Sequence, residues 1–422
     1  MNIKFDNKKY YRLPWNLADN TITWLEPTKK CNLYCDGCYR KNVTEHKSIE
    51  TIKEELDVFT SLRISDGVSI AGGDPLTHPD ILEIVRLVKS YGLKPIINTN
   101  GLALTPELLK ELKKAGVFGF TFHIDSKQQR PHWKGKTEIE LNELRLYYAE
   151  MLAKEGNISC AFNATVYGDT LQYVPDIVEW GQKHIDKVHV LVFIAYRAAI
   201  CGGEFEYYAG GKQIDMREIA YSLDFDEKEK TKKRTDILST DILMEIRKKY
   251  PDYDACAYLN GTERPDTFKW FLASRLGTKE KIFGYPGPKF MEIVQTGHHL
   301  LFNRYLAYAT PQTLRRGKLI FLLSPFDKRL RKAFKNYLIQ CLKNPLYLFK
   351  RVYSQSIMMI QPADLYKDGG MNMCDGCPDI TIHEGKLVWS CRLEELFKYN
   401  TFIHIVPKDG IFNREEYKIK KD

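Results

Sequence analysis

Short apolar runs recur along the first half of the chain, each followed by a stretch with helical periodicity. The runs are rich in β-branched residues and apolar on both faces, which is the pattern of strands buried inside a parallel sheet. The intervening stretches place apolar residues three and four apart, as amphipathic helices do. The predicted strands are 22–26, 67–71, 95–99, 119–125, 159–166 and 188–196, and the predicted helices are 48–63, 79–91, 105–115, 137–155 and 171–184.

This alternation predicts an α/β fold in which right-handed crossovers connect parallel strands. Ser48, Thr105 and Asp169 stand where helix caps are expected. The pattern does not distinguish an open sheet from a curled one.

The pattern changes near residue 200. Glycine pairs at 202–203 and 210–211 interrupt it, and 224–234 is a charge run typical of a solvated loop or helix face. Residues 235–365 show helical segments with many aromatic residues and no motif that we can assign. We therefore predict three regions: a strand–helix domain in 1–200, a mainly helical, basic region in 201–365, and a small Cys-rich region in 366–422.

The composition is that of an ordinary globular protein, with 422 residues of which 44% are hydrophobic and 28% are charged. The charged, aromatic N-terminus has no apolar core typical of a signal peptide, and no apolar run reaches the ~18 residues that span a bilayer. Ten cysteines without a secretory signal are typical of metal-binding or core thiols. We therefore expect a cytoplasmic, reduced protein.

The first three cysteines form a C-x3-C-x2-C triplet just after the first predicted strand. Cys31, Cys35 and Cys38 lie on one short loop, and the next cysteine is Cys160. Three thiolates can hold three irons of a [4Fe–4S] cluster and leave the fourth iron open to a ligand. Structural zinc, the alternative, usually takes four ligands from two separated pairs. The spacing favours a cluster with one open iron.

The triplet resembles that of the radical S-adenosylmethionine (SAM) enzymes. The resemblance implies a partial (β/α)6 barrel with its site at the carboxyl ends of the strands. The cluster there would bind SAM through the open iron. It also implies that an electron cleaves SAM to methionine and a 5′-deoxyadenosyl radical, which removes hydrogen from a substrate. An electron donor such as flavodoxin or ferredoxin would be the implied partner.

Polar residues after the later strands match the family's other motifs. Gly72-Gly73-Asp74-Pro75 is similar to its GGEP segment, 98–101 is similar to its TNG segment, and 123–126 to its S-x-D-S segment with His123 in the first place. The residue before the third cysteine is often aromatic in the family, whereas here Tyr39 follows it. The resemblance therefore implies cofactor contacts from these residues: Tyr39, Gly72, Gly73, Asp74, Asn98, Asn100, Ser126, Asn163, Val166 and Arg197.

For some of these residues the sequence leaves alternatives open. Asp125 is either a helix cap or an ordering group of its loop. His123 lies between apolar neighbours and is either a core imidazole or a substrate-facing one, and Arg197 either binds a carboxylate or is solvated.

Residues 313–351 carry eleven Lys or Arg and one acid, which gives this segment a net charge of +10 against +9 for the whole chain. Part of it has an apolar stripe at helical spacing: Phe326, Leu330, Phe334, Tyr337, Leu338 and Cys341. A basic amphipathic helix can lie on an anionic membrane, so the protein could be peripheral to the inner face of a membrane. The alternative is a packed helix with a solvated basic face, and we expect no nucleic-acid binding.

A second cysteine cluster lies near the C-terminus. Cys374 and Cys377 enclose a short turn, and Cys391 follows a segment that reads as a hairpin turning near Glu384 and Gly385. This region resembles the C-terminal auxiliary-cluster extensions of radical SAM enzymes, SPASM and the shorter Twitch, without the full SPASM cysteine set. It predicts an auxiliary [4Fe–4S] cluster, with structural zinc or no metal as alternatives. The fourth ligand is left open between Cys256, His383 and the substrate.

The resemblance implies a radical SAM oxidoreductase or C–H-modifying enzyme. The auxiliary extension favours a peptide substrate or an oxidation, whereas the basic segment favours a lipid-like or other anionic amphiphile. A competing function is a non-catalytic iron–sulfur or zinc-binding protein on a degenerate barrel, which would not cleave SAM.

Overall fold

The structure, a computed structural model, describes residues 5–36, 38–196, 205–215, 237–366 and 368–408. The predicted alternation in the first half is confirmed, with boundaries within a few residues. Its strands are β1 (Tyr11–Arg12), β2 (Ile22–Thr28), β3 (Gly67–Gly72), β4 (Lys94–Thr99), β5 (Gly119–His123), β6 (Ser159–Val166) and β7 (Val190–Ala195). Its helices are α1 (Ile49–Leu62), α2 (Ile81–Ser90), α3 (Pro106–Ala115), α4 (Asn142–Glu155) and α5 (Val174–Lys183).

Two of the three predicted helix caps form. The side chain of Ser48 accepts a hydrogen bond from Thr51 N, and that of Thr105 accepts one from Leu108 N. The Asp169 cap is wrong, because a 3-10 turn separates this residue from α5 and its carboxylate pairs with Lys127 at 2.7 Å. Asp169 therefore pairs with a lysine on a neighbouring loop and does not cap α5.

Strands β2 to β7 are parallel and neighbour one another in chain order, as the crossover rule requires. Their outer face carries Leu25, Ile97 and Phe122, which pack with the helices in the main hydrophobic core. The inner face is different. Asn98 lies beside Thr121, and His123 lies beside Asn163, so polar side chains collect on this face toward the carboxyl ends of the strands.

The sheet continues into the second half of the chain. The strands that extend it are β10 (Ala257–Asn260), β11 (Phe268–Gly277), β12 (Ile282–Gly284) and β13 (Tyr353–Ile360), whereas β8 (Phe205–Ala209) and β9 (Lys212–Ile214) lie in a separate small sheet with the strand His404–Pro407. β13 pairs in parallel with β7. β11 pairs antiparallel with β13, and β10 pairs antiparallel with β11. The helices are α6 (Ser239–Lys249), α7 (Pro288–Phe302), α8 (Pro311–Leu314), α9 (Gly317–Ile320) and α10 (Lys328–Lys343).

The prediction of a mainly helical middle region is therefore wrong for the long strands β11 and β13. β11 is buried on both faces, which removes the alternation that marks a half-exposed strand. It also contains two charged residues that have buried tertiary partners: Lys269 pairs with Asp364 at 2.8 Å, and Arg275 donates a hydrogen bond to Gln355 Oε1. The proposed domain boundaries stay a prediction.

The basic helix α10 packs its predicted stripe inward. Leu330, Tyr337 and Cys341 are buried, while Phe326 and Leu338 are exposed. The packed-helix alternative is thus correct for most of that stripe. Within the described residues, no helix is both long and apolar enough to cross a bilayer.

The C-terminal region forms the predicted hairpin. Its elements are β14 (Asp364–Leu365), β15 (Met371–Asn372), β16 (Ile380–His383), β17 (Lys386–Trp389), α11 (Leu393–Tyr399) and β18 (His404–Pro407). β16 and β17 are joined by Glu384 and Gly385, which have φ of 48° and 73°. Two positive φ values are what a two-residue type I′ turn requires, so the turn prediction is confirmed.

Candidate metal and cofactor site

The three-cysteine loop begins at the carboxyl end of β2 and is held by side chains on both flanks. Asn42 binds the backbone of Cys31 twice: its Oδ1 accepts from Cys31 N at 2.9 Å, and its Nδ2 donates to Cys31 O at 3.0 Å. Further along, Asp36 N donates to Lys127 O, and the Tyr167 hydroxyl donates to Asp36 O at 2.8 Å. The loop is therefore fixed to the ends of β5 and β6.

The thiols lie close enough to influence one another's ionisation. Burial raises the pKa of Cys35, and the neighbouring Asp125, Cys38 and Cys31 raise it further. Metal binding reverses this effect, because a coordinated thiol is deprotonated. In the described part of the chain no three His, Cys, Asp or Glu side chains already converge on a single metal position. The donor set of three thiols on one short loop fits three irons of a cluster.

Asn100 connects this loop to β4. Its Nδ2 is 3.7 Å from Cys31 Sγ and also donates to Asn32 Oδ1 at 2.7 Å. Hydrogen bonds to cysteine sulfur are one of the means by which a protein adjusts a cluster's reduction potential. Asn100, one of the residues predicted to bind the cofactor, thus contacts the Cys31 thiol directly.

Gly72 and Gly73 pack against the chain that enters the cysteine loop. Gly72 has a φ of +101°, and a Cβ there would lie 2.4 Å from Thr28 O. A Cβ on Gly73 would lie 2.2 Å from Lys30 O. Only glycine permits this approach, so one structural role of the pair is to bring β3 and the cysteine loop together.

Asp74, the third residue of that segment, is buried and fully engaged. Its carboxylate accepts hydrogen bonds from the Thr99 hydroxyl, from Asn100 N at 2.8 Å and from Leu76 N at 3.0 Å. Burial raises its pKa, and these hydrogen bonds oppose the rise. Asp74 therefore ties the ends of β3 and β4 together. Its predicted contact with SAM stays a prediction.

Two asparagines on the inner face of the sheet keep a buried amide atom without a hydrogen-bond partner among the described residues. These atoms are Asn98 Nδ2 on β4 and Asn163 Oδ1 on β6. Unpaired buried polar atoms are costly and uncommon, and they often mark a place where a ligand binds. One donor and one acceptor on the inner face fit the hydroxyl, amino and carboxylate groups of SAM.

His123 stands beside these asparagines and is bonded on the same face. Its Nε2 lies 2.9 Å from Asp125 Oδ2 and 3.1 Å from Thr165 Oγ1. Burial acts to raise the pKa of Asp125, but the hydrogen bond and charge of His123 lower it overall. Asp125 also accepts from Lys127 N, which makes it an ordering group of its loop. His123 is half-buried on the inner face of the sheet.

The remaining predicted cofactor residues occupy varied surroundings. Ser126 is half-buried and donates its backbone N–H to Glu138 Oε1 at 2.6 Å. Tyr39 is half exposed, with the Arg40 guanidinium 4.7 Å from its ring centroid. Val166 is buried in the core that faces the helices, on the opposite side of β6 from Asn163. Arg197 lies outside the described residues.

The C-terminal cysteines form a second thiol cluster. A hydrogen bond from Cys377 lowers the pKa of Cys374, and the same contact raises that of Cys377. Burial raises the pKa of Cys377 further, as do the charges of Cys374, Asp379 and Cys391. All three thiols thus lie near one another at the open end of the β16–β17 hairpin. Three clustered thiols fit either an iron–sulfur cluster or zinc.

The two protein side chains considered as a fourth ligand lie away from this cluster. Gly261 pairs with Cys374. Cys256 lies five residues before Gly261 on an extended segment, so the two are about 16 Å apart at ~3.3 Å per residue. His383 pairs with Lys386 at the opposite end of the hairpin from the cysteines. The described geometry favours neither residue.

A buried ion pair that the sequence analysis missed connects the two thiol clusters. Arg40, two residues after Cys38, pairs with Glu26 at the end of β2 and donates to Ser390 O at 2.7 Å, next to Cys391. Burial opposes the charge of Arg40, but Glu26 raises its pKa. Glu26 could have been found, since it is a polar residue at the carboxyl end of a predicted strand. Arg40 offered no such signal.

Part of the chain is similar in sequence to known proteins. Residues 25–181 match the sequence model of the radical SAM superfamily. A stretch of 118 residues is 36% identical to an AdoMet-dependent heme synthase of Methanosarcina barkeri and covers 27% of this chain and 34% of the relative. A stretch of 231 residues is 26% identical to a probable GTP 3′,8-cyclase of Methanocaldococcus jannaschii and covers 53% of this chain and 70% of the relative.

Among solved structures, Streptococcus suis SuiB bound to its precursor peptide SuiA aligns with a TM-score of 0.38 and 16% identity, over 56% of this chain and 47% of that one. The chain spans less than half the length of the first curated relatives, 34% and 44%.

Proposed function

Because residues 25–181 form a radical SAM domain, we propose that this chain is a radical SAM enzyme that cleaves SAM reductively and takes hydrogen from a substrate. One observation carries the proposal: the three-cysteine loop, whose Cys31 thiol lies 3.7 Å from Asn100 Nδ2, is at the same edge of the sheet as the unpaired amide atoms of Asn98 and Asn163. Unpaired buried polar atoms require an explanation, and a bound cofactor supplies one for this pair.

Each group in this site has a distinct role. Cys31, Cys35 and Cys38 would hold three irons, and Asn42 and Asn100 orient Cys31. When bound, the cluster supplies the electron that cleaves SAM and so generates the hydrogen-abstracting radical. Asn98 would offer a donor and Asn163 an acceptor to the cofactor, each through a buried amide atom.

The test is reductive SAM cleavage by anaerobically reconstituted protein. The wild type should release 5′-deoxyadenosine, and Cys35→Ala should abolish the release because two thiolates cannot hold a cluster with one open iron. A matched control is Cys160→Ala, which removes a buried core thiol outside the loop and should leave product formation in place. Undiminished product from Cys35→Ala would contradict the proposal.

For the substrate we propose a lipid-like anionic amphiphile, with a peptide as the alternative. The amphiphile is favoured by the basic, apolar surface described below. Incubation of the reduced enzyme with deuterium-labelled cell-extract fractions would identify the substrate by label transfer into 5′-deoxyadenosine. Transfer from a lipid fraction is the expected result, and transfer only from a peptide fraction would favour the alternative.

We further propose that the segment 313–351 contacts an anionic membrane. Beyond the inward-packed stripe of α10, it exposes many large apolar side chains: Leu319, Leu322, Phe326, Leu338, Ile339, Leu342, Leu346, Leu348 and Phe349. Exposed apolar residues set among cations suit a surface that partly enters the headgroup region of a bilayer. Not all of the cations are available, since Arg329 pairs with Asp254 and Lys332 with Asp252.

Vesicle co-sedimentation tests this contact. Binding to anionic vesicles should weaken with salt, because exposed charges are screened over about 8 Å at physiological ionic strength. Reversing the charge of Lys328, Lys335 and Lys343 should weaken binding about 100-fold or more, from ~1 kcal/mol per basic residue. Reversal of Lys53, Lys110 and Lys154, exposed on α1, α3 and α4, is the charge-matched control. Negligible binding at low and high salt alike would remove the membrane proposal.

A further inference from the structure

A cavity of about 380 Å³ opens on the basic surface and is lined by five cations: Arg315, Arg316, Lys318, Lys350 and Arg351. Val352, which precedes the first residue of β13, also lines it. β13 runs parallel to β7, and its eight residues span about 26 Å at ~3.3 Å each. The cavity therefore lies at the amino ends of the parallel strands, whereas the three-cysteine loop lies at their carboxyl ends.

A close backbone contact brings the cations together from two separate parts of the chain. Gly317 N donates to Val352 O at 2.9 Å, and a Cβ on Gly317 would lie 2.7 Å from that oxygen. Because glycine permits this approach, Arg315 and Arg316 on one side come to lie beside Arg351 on the other. Local sequence alone would not place these charges in one cavity.

Only two of the five cations have a described partner. Lys318 Nζ donates to Leu348 O at 2.6 Å, and Lys350 Nζ lies 3.3 Å from a Glu280 carboxylate oxygen. Among the described residues, no carboxylate lies within ion-pair distance of Arg315, Arg316 or Arg351. Three like charges in one cavity repel one another, so an anion there would be favourable. The planar fork of donors on each guanidinium matches phosphate oxygens.

Two exposed apolar side chains line the same cavity: Leu319 is 58% exposed and Phe349 is 84% exposed. A site for a free phosphate ion gains nothing from them, because a phosphate ion has no apolar part. A phospholipid has both parts, since its phosphate would meet the arginines while Leu319 and Phe349 enter the acyl boundary.

We propose that this cavity binds the phosphate group of an anionic phospholipid in a membrane surface, through Arg315, Arg316 and Arg351. This proposal rests on the membrane contact proposed above and adds a defined lipid site to it. The site is separate from the SAM-binding edge of the sheet, so its role is to hold the enzyme at the membrane in one orientation.

The experiment uses full-length protein and vesicles of phosphatidylcholine with and without phosphatidic acid. The test variant, Arg316→Gln with Arg351→Gln, removes two cavity charges. The matched control, Lys335→Gln with Lys343→Gln, removes two exposed charges from α10 outside the cavity. We expect the affinity of the test variant for phosphatidic acid vesicles to fall at least tenfold below that of the control. Both variants should still release 5′-deoxyadenosine from SAM, which shows that they are folded.

Three results would overturn the proposal, and they are distinguishable. Equal losses in the two variants would show that binding depends on overall charge and not on the cavity. Competition by inorganic phosphate as effective as that by soluble short-chain phosphatidic acid would make the site one for a free anion. Absence of vesicle binding by the wild type would overturn the membrane contact itself, while SAM cleavage would still be judged separately.

Discussion

Asn98 and Asn163 each keep one buried amide atom unpaired among the described residues, on the inner face of the sheet. An unsatisfied buried polar group costs about 1–3 kcal/mol, which a bound ligand can recover. The sequence analysis found both residues through their positions in strands that resemble those of the radical SAM family. It could not find Glu26 and Arg40 as a pair, since their contact joins strand β2 to the loop after Cys38.

At this scale we predict that Asn98→Ala weakens SAM binding by about tenfold, which corresponds to the ~1.4 kcal/mol of one hydrogen bond. Stability without SAM should stay equal or rise, because the variant removes an unpaired buried donor. Equilibrium dialysis with labelled SAM and a thermal melt measure the two effects.

Asn336→Ala serves as the control for that experiment. Its Nδ2 donates to Phe283 O at 2.9 Å, far from the sheet edge that would hold SAM. This variant should lose stability and retain SAM affinity. A loss of stability in Asn98→Ala with unchanged SAM affinity would assign Asn98 a purely structural role.

Among the secondary-structure elements, the β16–β17 hairpin is the one whose turn and flanking thiols could be predicted directly from the sequence. Its turn residues have the positive φ values that Gly385 and Glu384 tolerate, and cysteines flank its open end. Strands β11 and β13 gave no comparable signal, because burial on both faces of β11 hides the period of two.

We predict that reconstituted wild-type protein holds about eight irons, four in each of two clusters. Substitution of Cys374 and Cys377 together by Ser should reduce this to about four, because the hairpin site then has one thiol left. Iron and zinc analysis measures the outcome. Cys341→Ser, which removes a buried thiol of α10, should keep the full iron content. Four irons and one zinc in the wild type would show that the hairpin holds structural zinc.

At the scale of the whole molecule, buried arginines join the two thiol clusters into one unit. Arg40 connects β2 to Ser390. Arg63, which follows the last residue of α1, donates a hydrogen bond of 2.9 Å to Cys377 O. Asn20 adds a bond to Gly376 O at 3.0 Å. Buried hydrogen bonds therefore join the C-terminal segment to the strand–helix part of the chain.

We predict that Arg40→Ala lowers the free energy of unfolding by about 3–5 kcal/mol, because it leaves the Glu26 carboxylate buried without its partner. Replacement of both residues, Arg40→Met with Glu26→Gln, should restore most of the loss. Urea unfolding of the protein without metal measures both. Equal destabilisation by the single and double variants would mean that packing, and not the unpaired charge, explains the effect.

The sequence by itself determined the strand–helix alternation from residue 22 to 196, the three-cysteine loop, the strand-end polar residues and the hairpin. These features are local: periodicity, motif spacing and turn chemistry act between residues that are close in the chain. Only the tertiary structure decided that β13 and β11 extend the sheet and that the Asp74 carboxylate accepts hydrogen bonds from Thr99 and Asn100. It also decided that Arg315 and Arg316 line one cavity with Arg351. Such contacts join residues tens to hundreds of positions apart, and their pairing depends on how the whole chain buries its apolar surface.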